Sequence, residues 1–215
     1  MFLFNKRASV QELPWKHIVI DDALPKDIAN QLDSDWINND WPIWKDMAVH
    51  HGGIISNVPP GPEHSMVHHK LFIENFERSG EILSKLCDYF NYTPEGEIVF
   101  DHYKMLDYPP VPNRIIRPWH VDTLDKVFHI IYYIGEDQQQ GNYELVNEDG
   151  VFMSYPFKHN RLIAWHNVEG TRHRFFYGST THRKTISLCF KDKTHKDYIQ
   201  DNEIEEHYRL STSHK

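Results

Sequence analysis

Residues 115–134 read IIRPWHVDTLDKVFHIIYYI, which places two β-type segments on either side of a short polar turn. The first segment, Ile115–Asp122, ends in a His-x-Asp motif. The second, Lys126–Ile134, is rich in the β-branched and aromatic residues that favour strands. The stretch therefore predicts two strands, with an imidazole and a carboxylate close to their junction.

Short β-type segments continue on both sides of this stretch from Thr93 onward. Turn signals separate them, such as Gly135-Glu136-Asp137 and Glu148-Asp149-Gly150. About eight short strands in succession predict an antiparallel sandwich or jelly roll. The remaining predicted strands are Glu97–Lys104, Tyr143–Val146, Val151–Tyr155, Leu162–Trp165, His173–Tyr177 and Arg183–Phe190.

The N-terminal third has a different character. Trp15–Ile20 predicts a strand, and the apolar spacing in Asp27–Trp36 and Glu77–Phe90 predicts two helices. Residues 40–68 are rich in Pro, Gly and His without a period, so we expect an irregular loop there. We expect one domain over residues 1–215. It would comprise an N-terminal helical and loop region (1–95) that supports the barrel, a β core (96–192) and a charged C-terminal tail (193–215).

Composition narrows the class of protein. A chain of 215 residues can bury a full core, and its net charge of −8 makes nucleic-acid binding unlikely. No apolar stretch could span a bilayer, and the opening Met1–Phe4 is too short for a signal peptide. The two cysteines, Cys87 and Cys189, are expected to be buried free thiols. A cytoplasmic location is the simplest expectation.

The His-x-Asp motif suggests a metal site, because residues i and i+2 of a strand share a face. The motif is weak by itself, since 16 histidines in this chain predict about one occurrence by chance. A second copy, His195-Lys196-Asp197, lies in the charged tail and is expected to be solvated. A third ligand would complete a facial triad that leaves three positions of an octahedral ion open. His166 and His173 are the two candidates.

Several segments together resemble the prolyl-hydroxylase-like branch of the 2-oxoglutarate/iron(II) dioxygenases. The resemblance spans about residues 98–190. It rests on Trp119–Asp122, Lys126–Ile134, Asn160–Trp165, His173 and Arg183–Leu188.

This resemblance implies a double-stranded β-helix, mainly β and of jelly-roll or cupin-like type, with N-terminal helices packed on one sheet. It also implies Fe(II), 2-oxoglutarate and O2, with the iron held by His120, Asp122 and His173. In the family the distal His precedes a co-substrate-binding Arg by about ten residues. His173 lies ten residues before Arg183, whereas His166 lies seventeen before it.

Arg183 also carries an argument from its own segment. Residues Arg183–Phe190 alternate as a half-buried strand does, which places Arg183, Thr185 and Ser187 on one face. A guanidinium that faces a barrel interior needs an anion, and the distal carboxylate of 2-oxoglutarate would supply one. Ser187 would add a hydroxyl. The alternative is a surface arginine on an edge strand.

Two tyrosines are further candidates for the co-substrate pocket. By the resemblance, Tyr133 would hydrogen-bond the same carboxylate, and Tyr103 could act similarly, although the insert at residues 106–117 blurs the alignment. Both could equally be core aromatics. The chain departs from the family at Gly141-Asn142-Tyr143, where Gly-Gly-Thr is common. The carboxylate of Asp122 favours hydroxylation, because halogenating relatives have a small residue there.

The expected function is hydroxylation of an amino-acid, peptidyl (including prolyl) or small-metabolite substrate, with release of succinate and CO2. Residues 40–68 are the candidate substrate lid. Three alternatives remain open: a non-catalytic jelly-roll binding module, a zinc hydrolase on the same fold, and a cupin-type oxygenase that needs no 2-oxo acid.

Overall fold

The computed structural model describes residues 9–36, 48–50, 53–56, 80–108, 114–137, 142–177 and 183–194. Within these ranges the chain forms twelve strands and two helices. In chain order they are β1 (Ser9–Gln11), β2 (His17–Ile20), α1 (Lys26–Trp36), β3 (Ala48–His50), β4 (Gly53–Ser56), α2 (Gly80–Phe90), β5 (Ile98–Tyr108), β6 (Arg114–His120), β7 (Lys126–Ile134), β8 (Tyr143–Val146), β9 (Phe152–Tyr155), β10 (Leu162–His166), β11 (Arg172–Tyr177) and β12 (Arg183–Asp192).

The described strands form two antiparallel sheets. The larger sheet has the order β1-β2-β10-β7-β12-β5-β4-β3, and the smaller has the order β6-β11-β8-β9. Each strand predicted after Thr93 is present, and β7 and β8 have the predicted bounds. The predicted class, a mainly β double-stranded β-helix with flanking helices, is confirmed.

The alternation along β7 separates two cores. Phe128, Ile130 and Tyr132 belong to the helix-side core, where buried residues of α1 and α2 cover the larger sheet. Ile131 and Tyr133 face the other way, into a core that also contains buried residues of the smaller sheet. The prediction that the helices pack on one sheet is therefore confirmed. The second core is the space between the sheets, and it contains the candidate site.

The turn before β10 anchors the N-terminal segment to the larger sheet. Asn160 is buried and has a φ of 60°, a left-handed conformation that Asn tolerates better than most residues. Its Oδ1 accepts hydrogen bonds from the Leu24 amide and the Tyr132 hydroxyl, both at 2.9 Å. Its Nδ2 donates to the Leu24 carbonyl at 2.8 Å. One side chain thus joins the start of β10, the strand β7 and the chain before α1.

One prediction about the N-terminal third is wrong. Residues 40–68 were expected to be irregular, but Ala48–His50 and Gly53–Ser56 form a hairpin whose second strand pairs with β5. Strands of three or four residues gain their stability from the sheet edge they join, so their own sequence carries little signal. The rest of this segment lies outside the described residues, and so does the tail from residue 195.

The fold also bears on three smaller expectations. Within the segment 106–117, which had blurred the alignment with the resembling family, β5 continues to Tyr108 and β6 begins at Arg114. Cys87 and Cys189 are free thiols, and of the two only Cys189 is fully buried. No described helix has the length and hydropathy needed to cross a bilayer.

Candidate metal centre

Two histidines face each other at the edge of the smaller sheet. His120 is the last residue of β6 and His173 is the second residue of β11, and the two are direct partners in the antiparallel register. Their ring centroids lie 4.2 Å apart. Directly opposed residues of antiparallel strands project to the same side, so both imidazoles point into the space between the sheets.

Asp122 completes the cluster from the loop between β6 and β7. The strand ends two residues earlier than predicted, so Asp122 reaches the site from the loop and not from a shared strand face. Its carboxylate oxygens lie 4.0 Å from His120 Nε2 and 3.3 Å from His173 Nε2. One donor atom from each of the three residues lies within 4.8 Å of the others. These are the three residues that the sequence predicted as ligands.

A fourth residue, His129, touches the carboxylate and was missed by the sequence analysis. It lies on β7, and its Nδ1 is 2.6 Å from Asp122 Oδ2. A signal was available, because residues four apart on a strand share a face and His129 lies four residues before the pocket candidate Tyr133. With 16 histidines in the chain, no composition argument singled it out.

The electrostatics of the cluster favour an ionised carboxylate. Burial alone would raise the pKa of Asp122, but the contacts with His129 and His173 outweigh burial and hold that pKa well below its usual range. Burial lowers the pKa of His129, and the neighbouring carboxylate opposes that effect. The cluster thus places an ionised carboxylate beside the imidazole rings of His129 and His173.

The loop after β10 supports two of the ligands. Asn167 Nδ2 donates to the carbonyl oxygens of Asp122, at 3.3 Å, and Thr123, at 2.8 Å. His173 Nδ1 lies 3.1 Å from the carbonyl oxygen of Thr171, which makes Nδ1 the protonated nitrogen and leaves the Nε2 lone pair for an ion. Backbone carbonyls commonly orient metal-binding histidines in this way.

The loop that carries Asp122 is fastened from β12 as well. Lys191 Nζ lies 3.5 Å from Asp125 Oδ2, and both residues are buried. The Asp192 amide also donates to the Asp125 carbonyl oxygen at 3.1 Å. Because each end of the loop is held, the carboxylate is presented by a rigid segment.

The donor set fits a divalent transition metal. Two imidazole nitrogens and one carboxylate oxygen form the two-histidine, one-carboxylate set that suits non-haem iron. His173 and Asp122 are buried and His120 is half-buried. An ion bound here would keep coordination positions directed into the cavity.

Arg183 lies in the same interior space and is fully buried. Its guanidinium carbon lies 4.1 Å from the ring centre of Phe175 and 5.6 Å from that of Tyr133. Among the described residues, neither the guanidinium nitrogens nor the Tyr133 hydroxyl has a hydrogen-bond partner. Burial raises the pKa of Tyr133, although the charge of Arg183 opposes this. A buried cation and a buried hydroxyl thus lie side by side, and no acidic group among the described residues is paired with the cation.

The rest of β12 has the predicted alternation. Ile186 and Leu188 belong to the helix-side core, whereas Thr185 and Ser187 are buried on the same face as Arg183. Thr185 is opposite Tyr133 in the register, and Ser187 is opposite Ile131. Ser187 therefore faces the interior between Arg183 and the metal cluster.

The alternative ligand, His166, lies on the other side of the larger sheet. Its ring packs against Tyr92 at 4.9 Å, Phe128 at 5.5 Å and Phe90 at 6.2 Å between centroids. The neighbouring Trp165 points to the opposite face, 5.1 Å from the ring of His173. Burial lowers the pKa of His166 to about 4. His166 is separated from the metal cluster by the sheet.

Two other candidates are less defined. The backbone of Tyr103 lies on β5 opposite Leu188, and its side chain is outside the described part of the structure. The second His-x-Asp motif, at residues 195–197, also lies outside it. The role of Tyr103 remains a prediction.

No protein-family model matches the chain, and no curated protein matches it in sequence. Solved structures do match its fold. A 2OG-Fe(II) oxygenase family oxidoreductase from Burkholderia pseudomallei superposes with a TM-score of 0.59 at 11% identity, over 84% of this chain and 86% of that one. The rice dioxygenase for auxin oxidation gives 0.63 at 10% identity, over 92% and 86%. A Trichoplax adhaerens prolyl hydroxylase, in complex with a hypoxia inducible factor peptide fragment, gives 0.57 at 11% identity, over 82% and 84%.

The chain therefore has the fold of the 2-oxoglutarate/iron(II) oxygenases, and the resemblance seen in the sequence is confirmed at that level. Within this fold it carries a His-Asp-His cluster that could hold a metal ion.

Proposed function

We propose that this protein is a 2-oxoglutarate- and Fe(II)-dependent oxygenase that hydroxylates an amino-acid, peptidyl or small-metabolite substrate. His120, Asp122 and His173 would hold the iron. The observation that carries the proposal is the buried guanidinium of Arg183, which has no hydrogen-bond partner among the described residues. An unpaired buried cation costs several kcal/mol, so a site that retains one is built for an anion.

A dicarboxylate such as 2-oxoglutarate would suit a metal cluster and a buried guanidinium that share one interior. One end would meet the metal, and the other would accept hydrogen bonds from Arg183 and Tyr133. Arg183 offers a planar fork of donors that suits a carboxylate, and Tyr133 offers a single O–H beside it. Ser187 lies on the same face and would add a hydroxyl contact.

The bound iron would supply the redox chemistry, converting 2-oxoglutarate and O2 to succinate and CO2 while one oxygen atom enters the substrate. The chain's own residues then have limited tasks. The triad would hold the ion, with the Asp122 carboxylate as one of its three protein ligands. Arg183 would anchor the far end of the co-substrate. Buried apolar residues such as Tyr143, Trp165 and Phe175 exclude water from the cavity.

The alternatives use fewer of these features. A zinc hydrolase would need the triad but would leave Arg183 without an anion, and a binding module would need neither. A cupin-type oxygenase without a 2-oxo acid would leave the buried cation unexplained too. The peptide-bound prolyl hydroxylase among the matching folds supports a peptide or a small molecule as substrate.

The proposal is tested by anaerobic titration of the full chain with Fe(II) and 2-oxoglutarate. We expect the weak visible charge-transfer band of the chelate, and formation of succinate after oxygen is admitted. Zn(II)-loaded protein is the matched control and should produce neither. Metal binding without a band or succinate would exclude this function and favour hydrolysis. Absence of metal binding would favour the binding module.

A further inference from the structure

We infer that His129 is a positioning residue that orients the carboxylate of Asp122 for metal binding by donating its Nδ1 proton to Oδ2. The inference rests on the metal triad of the proposed function. It concerns a residue outside that triad, on a strand of the other sheet.

The contact that carries it is short. His129 Nδ1 lies 2.6 Å from Asp122 Oδ2, a distance that suits an imidazole donor and a carboxylate, although the N–H direction is outside the angle of a well-formed hydrogen bond. Asp122 belongs to a loop, so its side chain lacks the orientation that a strand would impose. An N–H bond to one oxygen fixes the rotation of the carboxylate group, and it offsets part of the cost of burying its charge.

His129 is not itself positioned to be a ligand. In the part of the chain that is described, the donor atoms that lie within 4.8 Å of one another come from His120, Asp122 and His173, and His129 does not join them. Its short contact with the cluster is with the carboxylate of Asp122. This is the place of a residue that acts through a ligand.

The surroundings hold the His129 ring in this orientation. Trp165 is its direct partner on β10, with ring centroids 5.1 Å apart and planes at 62°. Cys189 is its direct partner on β12. The same indole lies 5.1 Å from the ring of His173. Trp165 therefore packs against both the ligand His173 and the supporting His129.

The test compares two variants of the full chain. His129→Asn keeps an N–H donor near the position of Nδ1, because both nitrogens are bonded to the γ carbon. His129→Leu removes the donor while filling a similar volume. Mn(II) affinity is measured by isothermal titration calorimetry, and circular dichroism and thermal unfolding check that each variant is folded.

We expect His129→Leu to weaken Mn(II) binding about 10–100-fold, as is usual when a residue that supports a ligand is lost. His129→Asn should stay within about 3-fold of the wild type, because it retains the donor. Wild-type affinity in the Leu variant would overturn the inference. An equal loss in both folded variants would also overturn it, since the role would then belong to the ring and not to its N–H.

A measurement on the unsubstituted chain covers the case in which a variant does not fold. The imidazole ¹⁵N spectrum of the Zn(II)-loaded protein should show His129 protonated at Nδ1, and protonation at Nε2 alone would overturn the inference. Titration of 2-oxoglutarate into the Mn(II)-loaded wild type separates this result from the proposed function. Mn(II) binding without 2-oxoglutarate binding would reject that function and leave the His129 comparison decisive. Absence of Mn(II) binding would overturn both.

Discussion

His120 on β6 and His173 on β11 are direct cross-strand partners whose rings lie 4.2 Å apart. The pairing of the two strands therefore sets the spacing of the two imidazoles. Asp122 joins them from the adjoining loop, and Arg183 lies on the facing sheet with no hydrogen-bond partner among the described residues. These relationships lead to four predictions in addition to the test of His129.

The first prediction separates the two histidines that the sequence offered as the third ligand. His173→Ala should abolish the charge-transfer band of the Fe(II)–2-oxoglutarate complex and weaken metal binding by more than about 100-fold, because loss of a ligand exceeds the loss of its support. His166→Phe is the matched control and should retain the band, since its ring packs on the helix side. A band that survives in His173→Ala but disappears in His166→Phe would reverse the ligand assignment.

The second prediction concerns the buried cation. Arg183→Met should leave the apo protein as stable as the wild type or stabilise it by about 1–3 kcal/mol, because an unpaired buried charge is replaced by an apolar chain. With Mn(II) present, 2-oxoglutarate at about 100 times its Kd should stabilise the wild type by about 2.7 kcal/mol and leave the variant unaffected. Denaturant unfolding with and without the co-substrate measures both effects.

Lys184→Met is the control for that experiment. Lys184 is the next residue of β12, and it binds Asp33 of α1 at 2.9 Å on the opposite face of the sheet. The 2-oxoglutarate-dependent stabilisation should persist in this variant. A normal response of Arg183→Met to the co-substrate would remove Arg183 from the site.

The third prediction is a pH dependence from His166. Burial lowers its pKa in the folded state to about 4, below the ordinary value of 6.5 for histidine. Between these values the unfolded chain binds the proton more readily, so the free energy of unfolding should fall as the pH decreases from 6.5 towards 4. In His166→Phe the free energy of unfolding should fall less over this pH range, because phenylalanine does not titrate and can pack against the same aromatic neighbours. Identical pH profiles for the two proteins would show that His166 does not contribute.

The fourth prediction concerns the turn before β10. Asn160→Ala removes three side-chain hydrogen bonds. It also places alanine at a φ of 60°, a left-handed conformation that asparagine tolerates better. We expect the free energy of unfolding to fall by about 3 kcal/mol. Each buried group left without its partner costs about 1–3 kcal/mol, and the three losses are not fully additive. Thermal or denaturant unfolding measures it. Asn160→Gly keeps the backbone conformation and should lose somewhat less, whereas a loss below about 0.5 kcal/mol in Asn160→Ala would contradict the anchoring role.

The sequence alone determined the strands and the faces of those strands. The period of two along β12 placed Arg183, Thr185 and Ser187 on one face, and the structure shows that this face is the interior one. Apolar residues at helical spacing predicted both helices. They did not predict the β3–β4 hairpin, because its short strands depend on pairing with β5.

Tertiary structure decided which residues meet. Pattern alone left His166 and His173 as alternatives, and their separation comes from the register of β11 with β6 and from the face of β10 that His166 occupies. The contact between His129 and Asp122 joins a strand of the larger sheet to a loop beside the smaller one. A local pattern records the direction of a side chain, but the distance between two side chains is set by how the sheets pack.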